Sequence, residues 1–523
     1  MHRLVIASVT LIGLVGAAFL GGYLFLFGAA TDRAASMAPA DSAFYLNVYL
    51  QPSTGQQMNL AGLIGRLPGF ADEASLDEKV DQVVQNLLGP TGLDYRDEVK
   101  PWLGNQVAIA GWAGPEGAAE PIPVIIVEVK DQAAAASAIA DLAADAGDDV
   151  AIQAYEGTEL QVASNATYAF VGEMLVIGPT VESVHPVVDV ANGADSLAER
   201  QDFRATMDAL EPDHLASAFF DLSAIADAAG AGGQFPAVST AGAVLVAETD
   251  GLRISGSAPF DDSEVAPSAR AGFALGGEPS SLVDWMPEDT IAEVVLFGLR
   301  QTLEEAEAAV GASPQGEDVA STIDTFRALA AFGLGIDLDN DLLPLVDREV
   351  AVAISGFDGE LPSGQLLLRP EDPDAAVAAL DRVVASLGAL GATSRTETVG
   401  ETEVTVLTLP DTGEAAYAVA DGIVIIGLGI DDVTAAIEAH AGGTSLGASE
   451  AYERTFDVAG TRAGNEGFVD IGALLELMGG VETLPEDARD ILSQVGTFGF
   501  TAPSRDDQIE FHLVLTVDDR ATE

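Results

Sequence analysis

Met37-Ala-Pro-Ala-Asp41, followed by a strand-like run over 44–50, returns as Met286-Pro-Glu-Asp289 followed by a second such run over 291–299. The correspondence continues in order along the chain. Gly92-Leu-Asp94 through Pro101-Trp-Leu-Gly104 is answered by Gly335-Ile-Asp337 through Pro344. The apolar run 124–129, then Asp131 and an alanine-rich helix, is answered by 366–368, then Asp372 and a helix. Tyr168-Ala-Phe-Val171 pairs with Tyr417-Ala-Val-Ala420, and Phe219-Phe-Asp221 with Phe468-Val-Asp470. Collinear self-similarity of this length is the mark of a duplication, and each copy must carry its own strands and helices.

Working outward, each copy alternates short apolar runs with helical stretches, and Asp131 stands where a helix N-cap belongs. Thr249-Asp250-Gly251 between two apolar runs is a hairpin signal, because glycine accepts the positive φ of a tight turn. The pattern predicts an α+β fold: two tandem similar domains, each a mainly antiparallel sheet with helices on one face, after an N-terminal transmembrane helix. Repeat 1 spans 38–260 and repeat 2 spans 284–519, joined by a Pro-, Ser- and Gly-rich linker over 261–283.

Ahead of the repeats, residues 1–33 read as a signal anchor. No charge occurs from Leu4 to Phe27, enough at 1.5 Å per residue to cross a hydrocarbon core about 30 Å thick. That run exceeds the apolar region of a cleaved signal peptide, which favours retention over cleavage at Gly28-Ala29-Ala30. Arg3 precedes it, so the positive-inside rule places everything after Arg33 outside the cell membrane.

Composition narrows the function classes. The 523 residues carry 22 basic and 83 acidic side chains, a net charge of −61 that repels phosphate backbones and excludes nucleic acid as a partner. Arginine far outnumbers lysine, and the acidic surplus reads as a solvated surface. There is no cysteine, hence no disulfide, thiolate metal site or cysteine nucleophile.

The combination of residues 37–46, Leu67-Pro68-Gly69-Phe70, Gly92-Leu-Asp94-Tyr95 and Val99-Lys100-Pro101-Trp102-Leu103-Gly104 resembles the bacterial domain of unknown function 3352 family. The resemblance implies a membrane-anchored extracytoplasmic protein of the cell envelope and brings no activity with it. Copy two departs from the signature, with Pro344-Leu-Val-Asp347 where copy one has Pro-Trp-Leu-Gly.

Motifs with chemical potential lack the context they need. Gly443-Thr-Ser445-Leu-Gly447 fits a nucleophile elbow, but a helix precedes it, so Gly442 and Gly443 read as a helix C-cap and Ser445 as the next N-cap. Ser196-Leu-Ala-Glu199 in copy one reads as a capping box. Gly427-Leu-Gly429 follows a strand as a dinucleotide loop would, yet its third glycine position is Asp432. Asp337, Asp339 and Asp341 alternate like calcium ligands, but Leu342 and Arg348 break the EF-hand pattern, leaving solvated residues ahead of a strand. His2, His185, His214, His440 and His512 form no metal-ligand spacing. Trp102, Tyr168 and Phe219 read as buried packing.

The sequence therefore predicts no catalytic, cofactor-binding or metal-binding residue and no cofactor. The leading expectation is a non-enzymatic binding or scaffolding module whose partners are the membrane, through the N-terminal helix, and an unidentified envelope protein or ligand. The alternatives are an extracytoplasmic hydrolase using carboxylates that converge only in the fold, and a carrier of lipid or another apolar ligand.

Overall fold

In β1, Ser42–Tyr49, the two-residue period of a pleated strand sends Tyr45, Asn47 and Tyr49 to one side and Phe44, Leu46 and Val48 to the other. Both sets are apolar enough to be covered, and in the computed structural model β1 lies inside an antiparallel sheet, paired with a strand on each edge. The structure describes residues 32–66, 81, 85, 94–112, 121–147, 149–228, 238–260, 275–312, 327, 337–358, 361–410, 413–477, 492, 494–503, 505 and 508–518.

The chain divides into two compact units, one reaching Ser263 and the other running from Glu264 to Arg520. Unit 1 adds β2 (Leu103–Trp112), β3 (Ile122–Val129), β4 (Ala151–Tyr155), β5 (Thr158–Val162), β6 (Thr167–Val171), β7 (Met174–Gly178), β8 (Ala216–Asp221), β9 (Thr240–Ala247) and β10 (Gly251–Pro259). Their order is 10-9-8-1-2-3-7-6-5-4, every pair antiparallel. The hairpin at Thr249-Asp250-Gly251 closes as its turn chemistry requires, Glu248 N donating to Gly251 O at 2.9 Å.

Unit 2 contains β11 (Ala292–Phe297), β12 (Glu349–Asp358), β13 (Leu361–Arg369), β14 (Thr393–Val399), β15 (Thr402–Leu409), β16 (Gly413–Ala420), β17 (Ile423–Gly427), β18 (Asn465–Asp470), β19 (Val495–Ala502) and β20 (Gln508–Val517). Here the order is 20-19-18-11-12-13-17-16-15-14, that of unit 1 with ten added to each strand. Register repeats as well: Tyr45 faces Ala110 and Phe219 across its two neighbours, and Glu293 faces Ala353 and Phe468. The duplication seen in the sequence is thus a duplication of topology.

Helices complete the units: α1 (Thr54–Arg66), α2 (Gln132–Ala146), α3 (Val181–Ala191), α4 (Gln201–Asp208) and α5 (Leu222–Ala228) in the first, α6 (Leu299–Ala312), α7 (Pro373–Ala389), α8 (Ile430–Gly442), α9 (Glu450–Ala459) and α10 (Ile471–Leu477) in the second. Asp131 caps α2 by accepting Ala134 N at 3.0 Å. In unit 1, α3 and α4 bury Val184, Val187, Val188 and Phe203 against Tyr45, Ala110 and Val176. In unit 2, α8 and α9 place Val433, Ile437 and Phe456 over Val295, Leu367 and Ile425.

The expected covering of one sheet face only is corrected. Leu367 and Leu368 are adjacent and point to opposite faces; α8 covers the first, while α7 packs Ala376, Ala379 and Leu380 against Leu368, Val350 and Val424 on the other. A strand apolar on both sides needs cover on both sides, and residues 366–368 and 423–426 are such runs.

The repeats also begin earlier than expected. Ala34, Ala35 and Ala38 are buried in the core of unit 1, and Leu282 and Val283, placed in the linker by composition, are buried in that of unit 2. Pro39 bridges Ser196 and Pro287 bridges Ser445, so Ala38 corresponds to Met286 and Met37 to Trp285, one residue from the match at methionine. Small alanines do not announce a core segment, whereas their apolar equivalents Leu282 and Val283 do. Residues 261–274 of the expected linker lie outside the described residues, as does the expected membrane segment over 4–27. Among the described residues no helix is long and apolar enough to cross a membrane.

Candidate functional site

The inward side of β11 carries Glu293, Val295 and Phe297. Val295 stands opposite Glu466 on β18, which makes Glu293 and Glu466 diagonal neighbours on one face, positions about 7–8 Å apart in an antiparallel pair. Phe297 stands opposite Glu349 on β12, and Glu349 opposite Arg369 on β13. Three carboxylates therefore share one sheet face under α8 and α9, with 2% of Glu293, 1% of Glu466 and none of Glu349 exposed.

Their partners differ. Glu349 accepts from the Ser280 hydroxyl and pairs with Arg369 Nη1 at 3.3 Å. Glu466 Oε1 accepts from the Tyr452 hydroxyl of α9 at 3.0 Å. Among the described residues, Glu466 Oε2 and both oxygens of Glu293 have no hydrogen-bond partner. Burying an ionised carboxylate in that condition costs far more than protonating it.

The electrostatics follow. Burial pushes Glu293 well above the ordinary carboxyl range, and the adjacent Glu466 pushes it further. Burial raises Glu466 to about 8; the Tyr452 hydrogen bond opposes this, Glu349 adds to it, and Arg462 opposes it again. Tyr452 is held protonated by its own burial and by Glu466. At neutral pH the two glutamates store protons as a coupled pair, the like-charge arrangement that acid–base enzymes also use. Here Tyr452, Phe456 and Phe468, each no more than 2% exposed, close over it, so the pair is sealed from any substrate in this conformation.

Unit 1 shows that the acids are not a requirement of the fold. Tyr45 occupies the place of Glu293, Ser217 that of Glu466 and Gln106 that of Glu349, by register. Tyr45 donates its hydroxyl to Asp32 Oδ1 at 2.6 Å, and Asp32 also accepts Ala35 N at 3.0 Å. The first unit thus neutralises the position with a phenol, the second with protonated carboxyls.

The motifs examined in the sequence resolve into local structure. Gly443, at φ 71°, ends α8 as a left-handed C-cap, and Ser445 opens the short helix Leu446–Ala448. Ser196 forms the capping box with Glu199, whose Oε2 accepts Ser196 N at 3.2 Å. Asp432 Oδ1 reaches back to accept from Ser363 Oγ at 2.9 Å and Gly364 N at 3.2 Å, and a Cβ on Gly427 would stand 2.5 Å from the Asp432 Cβ. Gly427 therefore makes room for helix α8, not for a phosphate.

Asp337 accepts the Asp339 and Asn340 amides, and Asp341 is corrected from solvated to buried: Arg382 Nε donates to its Oδ1 at 2.6 Å. His185 stacks on Tyr155 at 3.6 Å and His440 on Trp285 at 3.8 Å, and among the described residues no group of His, Asp and Glu is placed to hold a metal. Tyr168 and Phe219 are buried as expected. Trp102 is instead half-buried, its Nε1 donating to Glu98 O at 2.6 Å. The core tryptophans are Trp112 and Trp285.

Sequence reasoning passed over Glu293 and Glu466. The signal was present: strand alternation places Glu293 in phase with Val295 and Phe297, and the repeat sets it against Tyr45.

The family described as "Protein of unknown function (DUF3352)" matches residues 4–516. The chain belongs to that family. No curated protein sequence matches it. Among solved structures, crystal form III of TP0453 is similar at 11% identity, covering 46% of this chain and 85% of that one with a TM-score of 0.26. Crystal form I of TP0453 gives 10%, 48%, 88% and 0.26. A TM-score of that size does not establish a shared fold.

Proposed function

We propose that the protein is a membrane-anchored, extracytoplasmic binding or scaffolding protein of the cell envelope, with two self-contained domains of one design carried on an N-terminal transmembrane helix. The observation that carries this reading is the uncharged run from Leu4 to Phe27, preceded by Arg3 and followed within a few residues by Ala34 and Ala35, which are buried in the core of unit 1. The sealing of Glu293 and Glu466 favours a binding role over carboxylate-dependent hydrolysis, because a catalytic acid must touch its substrate. Protease added to intact spheroplasts is the test. Digestion of everything after Arg33 is the expected result, and protection in sealed cells with digestion only after lysis would overturn the reading.

A further inference from the structure

Arg33, near the first of the described residues, is bonded to one end of the unit 1 strands. Arg33 Nη1 pairs with Glu128 Oε1 at 2.7 Å, and Arg33 also pairs with Glu173 in the β6–β7 turn. Glu128 Oε2 accepts Asn105 N at 3.1 Å. Beside it, Lys130 N donates to Trp102 O at 2.9 Å and Lys130 Nζ to Lys100 O at 2.8 Å. Lys100 Nζ and Arg96 Nε converge on Asp81 at 2.6 and 2.9 Å. These contacts form one connected surface at the end of the sheet where β3 finishes and β2 starts.

Three features of this surface are unusual for the molecule. The chain has only three lysines, and Lys100 and Lys130 are both here. In the bonded network, four cations (Arg33, Arg96, Lys100, Lys130) stand with six described carboxylates, Asp81, Glu128, Glu173 and, through Trp102 Nε1 on Glu98 O, Glu98, Asp94 and Asp97, a more basic balance than the 22 bases to 83 acids of the whole chain. Trp102 is half-exposed and follows the exposed Pro101. A tryptophan with one wet edge, flanked by long cationic side chains, matches the headgroup layer of a bilayer, where indole rings concentrate and lysine stems lie along apolar surface.

Chain length supplies the placement. Asp32 is five residues beyond Phe27, and a chain spans at most about 3.6 Å per residue, so this end of unit 1 begins within about 18 Å of the end of the uncharged run.

We infer that the end of unit 1 formed by Arg33, Lys100, Pro101, Trp102 and Lys130 rests on the lipid headgroups of the bilayer that holds residues 4–27. This rests on the anchored reading above. Tethering raises the local concentration of the surface at the bilayer, so a contact too weak to recruit a free protein suffices to orient an anchored one. The −61 charge then sets the rest of the chain away from anionic lipid.

The absence of cysteine makes the test direct. The full-length chain carrying Lys130→Cys is compared with one carrying Asn165→Cys, which lies in the exposed β5–β6 turn at the opposite end of the sheet. Each is labelled with an environment-sensitive fluorophore and reconstituted into phosphatidylcholine vesicles containing a minority of phosphatidylglycerol and a headgroup-spin-labelled quencher lipid. The two positions are separated by about eight residue steps along the strands, about 26 Å, and the label at 130 should be quenched at least about twofold more than that at 165. Adding Trp102→Ala to the Lys130→Cys chain should reduce that quenching; because only the Trp102 carbonyl bonds Lys130 N, the backbone contact survives the substitution. Equal quenching at the two positions in a chain that floats with the vesicles would overturn the surface contact and leave the anchor standing. Failure of the unsubstituted chain to float would overturn the anchored reading, and this inference with it.

Discussion

Glu466→Gln keeps the size of the side chain and an acceptor for the Tyr452 hydroxyl while removing a titrating group. In the folded chain Glu466 keeps its proton up to about pH 8; in the unfolded chain it releases it near the ordinary value of 4.5. Below 4.5 both states are protonated and the group has no effect on stability. Between 4.5 and about 8 the folded state binds a proton that the unfolded state lacks, so stability falls as pH rises, by about 1.4 kcal/mol per pH unit for one proton. Over the whole window that amounts to at most about 5 kcal/mol, reduced where Glu293 shares the proton. The glutamine amide adds a pH-independent cost of about 1–3 kcal/mol for its unpaired N–H groups, so the slope rather than the offset is the readout. Urea unfolding at a series of pH values, with the variant's stability taken relative to wild type, should show the variant gaining on wild type steadily from pH 5 to 8, by about 3 kcal/mol or more in total. Parallel profiles over that range would refute the claim that the buried pair stores a proton.

The surplus of 61 negative charges should make the melting temperature rise as sodium chloride screens self-repulsion, measured by thermal scans from low millimolar to molar salt; a flat response would show the charges to be too dispersed to matter. Gly427→Ala should destabilise unit 2 by about 1–3 kcal/mol in chemical denaturation, since its Cβ would lie 2.5 Å from that of Asp432 on the packed helix α8. Starting unit 1 at Ala38 removes the Asp32–Tyr45 hydrogen bond and the buried Ala34 and Ala35, and should lower its denaturation midpoint by an amount equivalent to about 2 kcal/mol or more relative to a start at Asp32.

The succession of strands along the chain was legible wherever the two copies could be laid on one another, while their order across the sheet was not. Apolar runs such as 124–129 and 423–426, the hairpin glycine Gly251 and the cap Asp131 are local signals, and local physics honours them. What escaped depends on contacts distant in sequence. The alternation of residues 366–368 shows that both faces of the strand are apolar but not which helix covers each. Ala34 and Ala35 are core residues only because Ala198 N and Leu197 N bond back to that segment. Asp341 looks solvated among neighbouring acids until Arg382, on α7, closes on it. Glu293 and Glu466 are 173 residues apart, and only the pairing of β11 with β18 reveals that they share a face.

The central claim is that one design is used twice and that each use is complete. Residues 32–260 and 275–518, expressed separately, test it most directly through thermal unfolding and amide spectra, because each set contains ten strands paired in the repeated order and the helices over its core. Two soluble fragments, each with a cooperative transition and dispersed amide signals, are the expected result. Two molten or aggregating fragments, alongside a joined chain 32–518 that unfolds cooperatively, would contradict it.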